Sequence, residues 1–171
     1  MKIAIISDTH DNLPNFKKAV DWIKKEKIKT IIHCGDICAP EVLEEIAKKF
    51  TGKIHLVLGN VDETRFVMTK MVDKSFRSNV ILYGEKGEIK AGGKRIAFVH
   101  FPEFARKLAS TRKYDLVFYG HTHKPWEEKI ENCRLVNPGN LANLFYKATF
   151  AVYDTKTDKL ELKIIERLQK D

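Results

Sequence analysis

The chain alternates short apolar runs with longer segments whose apolar residues recur every three or four positions. Residues 3–6 are continuously apolar, the pattern of a strand covered on both faces. After them Leu13, Phe16, Val20 and Ile23 recur at helical spacing. Asp11 or Asn12 can cap that helix, and Pro14 falls in its first turn. Residues 30–32 form a second strand that runs into His33-Cys34-Gly35-Asp36. Pro40 opens a second helix, with Val42, Leu43, Ile46 and Ala47 on one face. Residues 54–58 are a third strand, ending at Gly59-Asn60. This order predicts parallel strands joined by right-handed crossovers. In such sheets ligands gather outside the carboxyl ends of the strands, where Asp8, Asp36 and Asn60 fall.

The second half is patterned differently. Residues 80–82, 87–90 and 95–99 read as short strands, with a turn at Gly92-Gly93 and His100 at the end of the last. Residues 103–113 are a helix, and 116–119 a buried strand that delivers Gly120-His121-Thr122-His123. Residues 127–130, 134–136, 149–153 and 160–165 read as antiparallel strands. The expectation is an α/β fold with two sheets flanked by helices. No repeat or Pro/Gly/Ser-rich linker divides the chain, so residues 1–171 are expected to form one domain.

Composition narrows the class without naming the chemistry. With 43% hydrophobic and 32% charged residues the chain reads as a soluble globular protein. No apolar run approaches the roughly 18 residues of a membrane span. The apolar stretch 3–6 is too short for a leader and charge follows at once, so it is taken as a strand rather than a targeting segment. Three cysteines, Cys34, Cys38 and Cys133, suit a reducing cytoplasm and read as small apolar residues rather than a disulfide framework. The net charge of +8 comes from lysines interspersed with glutamates, as at 24–27 and 44–49. That is the pattern of solvated, ion-paired helix faces and of thermophile proteins, not of a nucleic-acid stripe.

What stands out is a set of potential metal ligands, each just after an apolar run: Asp8 and His10, Asp36, Asn60, His100, and His121 with His123. Singly each is weak, since Gly-Asp and Gly-Asn are common turn pairs. Jointly they lie where one sheet architecture can converge them. Mixed imidazole and carboxylate donors favour transition metals such as Mn, Fe, Ni or Zn over Ca or Mg. Seven such ligands fit two ions sharing one carboxylate, an arrangement that activates water against a phosphate ester.

Asp8-Thr9-His10, Gly35-Asp36, Gly59-Asn60, His100 and Gly120-His121-Thr122-His123 together resemble the calcineurin-like metallophosphoesterase superfamily, in particular its small bacterial and archaeal phosphodiesterases. The resemblance extends from residue 1 to about residue 153. It implies a four-layer αββα sandwich of two mixed sheets flanked by helices. It also implies two divalent ions, one held by Asp8, His10, Asp36 and His123, the other by Asp36, Asn60, His100 and His121. The implied reaction is hydrolysis of a small phosphate diester by a hydroxide bridging the two ions, His10 and Asp36 serving as supporting ligands. No protein nucleophile is required. A homodimer is expected by the same resemblance.

Two departures qualify it. Many members carry Gly-Asn-His-Asp/Glu, whose histidine is placed to stabilise the transition state or protonate the leaving group, whereas this chain has Gly59-Asn60-Val61-Asp62. Related small phosphodiesterases carry Gly-His after the lone histidine, whereas here the run is His100-Phe101-Pro102-Glu103. Esters with good leaving groups, aryl or nucleotidyl, are therefore the expected substrates, or else turnover is slow. The alternatives are a metal-binding scaffold without turnover on the same fold, and a phosphomonoesterase or nucleotide pyrophosphatase. Asn60, Arg65 and Lys124 are candidates to contact substrate. His33 is expected to be packed or to support a ligand, and His55 to be structural. Asn137-Pro138-Gly139 is a turn able to line the site, and the Phe and Met residues of 66–76 read as helix core.

Overall fold

Strand β1 (Lys2–Ile6) sets the architecture, because its alternate side chains face two different layers. The computed structural model describes residues 1–62 and 79–168. Ala4 and Ile6 pack with the buried faces of α1 (Leu13–Lys25) and α2 (Pro40–Lys49), through Phe16, Val20, Ile23, Leu43 and Ile46. Ile3 and Ile5 point the other way, into a layer shared with Ile96, Phe98, Leu116 and Phe118. A third cluster, Ala97, Val99, Val117 and Leu135 with Ala105 and Ala109 of α3 (Pro102–Ser110), lies beyond. The layers therefore run helices, sheet, sheet, helix, as expected of an αββα sandwich.

The first sheet contains β1, β2 (Thr30–His33), β3 (Lys53–Leu56), β4 (Val80–Leu82), β10 (Thr149–Asp154) and β11 (Lys159–Ile164), in the order β11-β10-β1-β2-β3-β4. The second contains β5 (Lys86–Ala91), β6 (Lys94–Val99), β7 (Leu116–Phe118), β8 (Trp126–Ile130) and β9 (Cys133–Asn137), in the order β5-β6-β7-β9-β8. Strands β1 to β4 are parallel, with Ile5 opposite Ile32 and Ile31 opposite Ile54. Their carboxyl ends therefore open on one edge. Strands β6, β7 and β9 are also mutually parallel and deliver the loops after 99 and 118 to the second sheet's edge.

Two expectations change. The helix expected at 103–113 ends at Ser110. Thr111 Oγ1 donates to the Leu108 carbonyl at 2.6 Å, and Arg112 adopts φ +59°, which stops the helical ladder. Strand β9 is antiparallel to β8 but parallel to β7, so the later strands are not all antiparallel. Asn12 caps α1 by accepting from the Asn15 amide at 3.1 Å, with Pro14 in the first turn as expected. No helix among the described residues is long and apolar enough to cross a membrane.

Candidate metal centre

The loop after β1 is stitched to the loop after β2. The amides of Asp8, Thr9 and His10 donate to the carbonyls of Gly35 and Asp36 at 2.7–3.0 Å. The amides of Leu141 and Ala142 reach the Asp8 carbonyl at 3.2 and 3.1 Å, and Gly120 N reaches the His100 carbonyl at 3.0 Å. These bonds need backbone shapes that few side chains tolerate. Asp8, His10, Asp36, His121 and His123 all have positive φ, between +42° and +69°. Each left-handed non-glycine residue costs on the order of 1 kcal/mol, and such residues concentrate at functional sites. Glycine precedes three of the motif residues because the loops approach too closely for a Cβ. At Gly59 it would strike the Asp36 carboxylate, and at Gly120 the Ser7 hydroxyl.

All seven motif residues converge. Asp8, His10 and His123 form one group of facing ligand atoms, and Asp36, His100 and His121 another. In the first, His10 Nε2 lies 3.1 Å from His123 Nε2, which lies 3.4 Å from Asp8 Oδ1. In the second, Asn60 Oδ1 lies 2.9 Å from both His100 Nε2 and His121 Nδ1, and the two ring nitrogens are 3.2 Å apart. Asp36 Oδ2 stands between the groups, 3.6 Å from His10 Nε2 and 3.4 Å from His100 Nε2. Two donors each about 2.0–2.2 Å from one ion at ordinary angles are about 3.0–3.6 Å apart, so these spacings are those of ligands around a cation.

The protonation pattern gives an independent test of fit. His100 Nδ1 faces the Cys34 carbonyl at 2.8 Å; a carbonyl only accepts, so Nδ1 carries the hydrogen. Nε2 faces Asn60 Oδ1 and Asp36 Oδ2, which are themselves acceptors. One proton on Nε2 cannot serve them all; a divalent cation can. Asp8 tells the same story. Burial pushes its carboxyl up to about 7, because the charged form loses its hydration there. An adjacent cation reverses that penalty. At Asp36 burial also acts upward, but the hydrogen bond and charge of His100, the Val61 amide and the charge of His10 prevail and hold it below the ordinary carboxylate value. The donor set fits two divalent ions.

The family model for the calcineurin-like phosphoesterase superfamily domain matches residues 1–158. The chain belongs to this superfamily. It is 30% identical to a phosphodiesterase of Methanocaldococcus jannaschii over 97% of this chain and 100% of that protein. A solved archaeal phosphodiesterase superposes with a TM-score of 0.86 at 28% identity, covering 96% of this chain and 99% of the other. A phosphoesterase of E. coli (TM-score 0.67, 18% identity, 96% and 100% covered) and zinc-complexed Vps29 of Entamoeba histolytica (TM-score 0.68, 18% identity, 96% and 99% covered) share the fold. The superfamily match and the phosphodiesterase relative make this chain an enzyme, a metal-dependent phosphoric ester hydrolase.

Around the centre the superfamily frame explains several side chains. His33 is buried and neutral: its Nδ1 accepts from the Gly35 amide at 3.2 Å, leaving Nε2–H for Thr9 Oγ1 at 2.8 Å. Burial holds its pKa down at about 3. It therefore braces the Asp8 loop against the Asp36 loop. His55 pairs with the Tyr83 hydroxyl at 2.8 Å, away from the centre. Asn137 does not line the site but supports it, donating to the Gly120 carbonyl at 2.9 Å and to Thr122 Oγ1 at 3.0 Å. Lys124 lies over the Trp126 ring at 5.3 Å. Cys34 and Cys133 are buried free thiols, Cys133 in the layer under α3 rather than near the centre. Arg65 and the 66–76 stretch lie outside the described residues.

Asp62 is the residue whose role the motif did not reveal. Its carboxylate accepts from four backbone amides: Gly59 at 2.6 Å, Asp36 at 3.0 Å, Ile37 at 2.7 Å and Cys38 at 2.9 Å. It clamps the loop after β3 to the loop after β2. The only sequence signal is a carboxylate two positions after Asn60, and nothing local tells that three of its four partners lie 24–26 residues earlier.

Proposed function

We propose that this enzyme is a metal-dependent phosphodiesterase. The two ions would be held by Asp8, His10, Asp36 and His123, and by Asp36, Asn60, His100 and His121. The observation that carries the reading is Asp36 Oδ2 standing between the two groups of donors. When bound, two divalent cations supply a water-derived nucleophile near neutral pH and offset the charge developing on the phosphoryl oxygens. The chain's own part is positional. The Cys34 carbonyl fixes the tautomer of His100. The Asp62 clamp and the left-handed loops hold the other donors in place.

A protein nucleophile is disfavoured. Cys38 Sγ lies 3.6 Å from His10 Nδ1, but burial and the nearby carboxylates of Asp11 and Asp62 push its thiol up to about 12. At neutral pH that sulfur stays protonated and unreactive. Val61, 43% exposed beside Asn60, offers no proton to a departing alkoxide. Diesters with good leaving groups are accordingly the favoured substrates. Val61→His should raise turnover of alkyl diesters by about 10²-fold, the lower end of what a positioned acid contributes, and that of bis(p-nitrophenyl) phosphate far less. Equal slowing of both would refute this account of the position.

The decisive test is to strip the protein of metal and add back Mn²⁺, Ni²⁺, Zn²⁺ and Mg²⁺ separately. Each form is assayed on bis(p-nitrophenyl) phosphate and p-nitrophenyl phosphate. Restored cleavage of the diester, with the monoester slower, is the expected result. A faster monoester would make the enzyme a phosphomonoesterase. Two ions bound per chain with no turnover would make it a scaffold.

A further inference from the structure

The loop between β9 and β10 carries the most exposed large apolar side chain among the described residues. Phe145 is 90% exposed, whereas Phe16, Phe50, Phe98, Phe118 and Phe150 are buried. Its φ is +62°, as is that of Asn143. A bulky residue adopts this left-handed form only where the surroundings impose it. Here they do. Leu144 N donates to Asn140 Oδ1 at 3.1 Å, Ala148 N to Asn143 Oδ1 at 3.1 Å, and Tyr146 N to the Leu144 carbonyl at 2.7 Å. Asn140 Nδ2 in turn donates to the His123 carbonyl at 3.1 Å, which couples this loop to the metal centre. The fold thus holds an apolar ring in water, in a conformation it does not prefer.

The ring sits at the edge of the centre. Its centroid is 5.7 Å from that of His123, with the planes tilted by 53°. The other half of the site has a matching neighbour. The Phe101 ring lies 4.9 Å from His100 and 5.0 Å from His121, and Phe104, 48% exposed, lies 6.0 Å from Phe101. Each group of ligands is therefore flanked by phenylalanine. A phosphate diester has two ester arms that diverge from phosphorus. A phosphoryl group seated over the shared Asp36 would send one arm past His10 and His123, beside which Phe145 lies.

We propose that Phe145 is a specificity residue that selects diesters carrying a planar aromatic group, aryl or nucleobase, on that arm by stacking against it. The inference rests on the phosphodiesterase reading for the seat of the phosphoryl group. Stacking of a base or aryl ring on an aromatic side chain is sequence-tolerant and strong enough to dominate discrimination between otherwise similar anions.

The test uses two anions that cannot be hydrolysed, because both substituents are joined to phosphorus through carbon: diphenylphosphinate and dimethylphosphinate. Their binding to the metal-reconstituted protein is measured by calorimetry for wild type, Phe145→Ala and Phe145→Trp. Phe145→Ala should weaken diphenylphosphinate by about tenfold, leave dimethylphosphinate nearly unchanged, and be rescued by Phe145→Trp. Equal weakening of both anions, or no change in either, overturns the proposal. So does an unchanged diphenylphosphinate affinity with a dimer that Phe145→Ala splits in sedimentation, which would make the ring a contact between two copies. Failure of wild type to bind either anion removes the phosphoryl seat and the proposal with it. Ring-selective binding without turnover of any diester would instead sink the phosphodiesterase reading and leave the role of Phe145 intact.

Discussion

Asp36→Asn is expected to leave a folded protein whose metal-restored diester cleavage has fallen by about 10³-fold, the loss of several kcal/mol of charge stabilisation at 1.36 kcal/mol per decade. The substitution is nearly isosteric, so packing should survive. Its effect comes from where the new nitrogen must go. The Val61 amide donates to Asp36 Oδ1 at 3.1 Å and requires an acceptor there. The amide oxygen of the asparagine therefore takes the Oδ1 place, and its NH₂ takes the Oδ2 place. That is the atom 3.6 Å from His10 Nε2 and 3.4 Å from His100 Nε2. A lone pair and half a charge are replaced by two hydrogens at the point common to both ligand groups. Metal content per chain by mass spectrometry, alongside kcat/KM, reads the result. Two ions retained with activity near wild type would mean that the two groups are not bridged by this carboxylate.

Asp62→Ala should have the largest effect on stability. Four backbone amides lose a common carboxylate acceptor at 2.6–3.0 Å. Hydrogen bonds to a charged group are worth about 1.5–3 kcal/mol each, but Asp62 is only partly buried and water will recover some of them. A net loss of about 3 kcal/mol, or a fall in Tm of about 6–12 °C for a domain of this size, is the expectation. Activity should fall with it, since the amides of Asp36 and Gly59 orient two of the proposed ligand loops. Asp62→Asn keeps one accepting oxygen and should fall between the two. Thermal unfolding followed by circular dichroism settles the matter, and a Tm for Asp62→Ala indistinguishable from wild type would show that the clamp is dispensable.

Much of the fold was legible in the chain because its signals are local. The continuous run at 3–6 does face two apolar layers, and the Leu13/Phe16/Val20/Ile23 spacing does bury one face of α1, with Leu13 packed at its edge. The end of α3 was less legible, because Thr111 and Arg112 stop it through a side-chain bond and a left-handed φ that helical periodicity does not encode. Strand direction in the second sheet was lost for a similar reason. A short, mostly buried strand such as β9 looks the same whether its neighbour is parallel, as β7 is, or antiparallel, as β8 is.

The candidate centre divides the same way. By itself the sequence determined which donors exist and that each follows a strand, since a β-α-β order forces the carboxyl ends of successive strands to one edge. It could not determine the distances among them, which depend on side chains up to 115 residues apart. Only the tertiary structure decided that His100 presents Nε2 to the centre, because its tautomer is set by a carbonyl 66 positions away. Only the tertiary structure revealed the Asp62 clamp and placed Phe145 beside His123. Donor identity is a property of residue type and travels with the chain; donor geometry and support arise from contacts between segments that the chain order keeps apart.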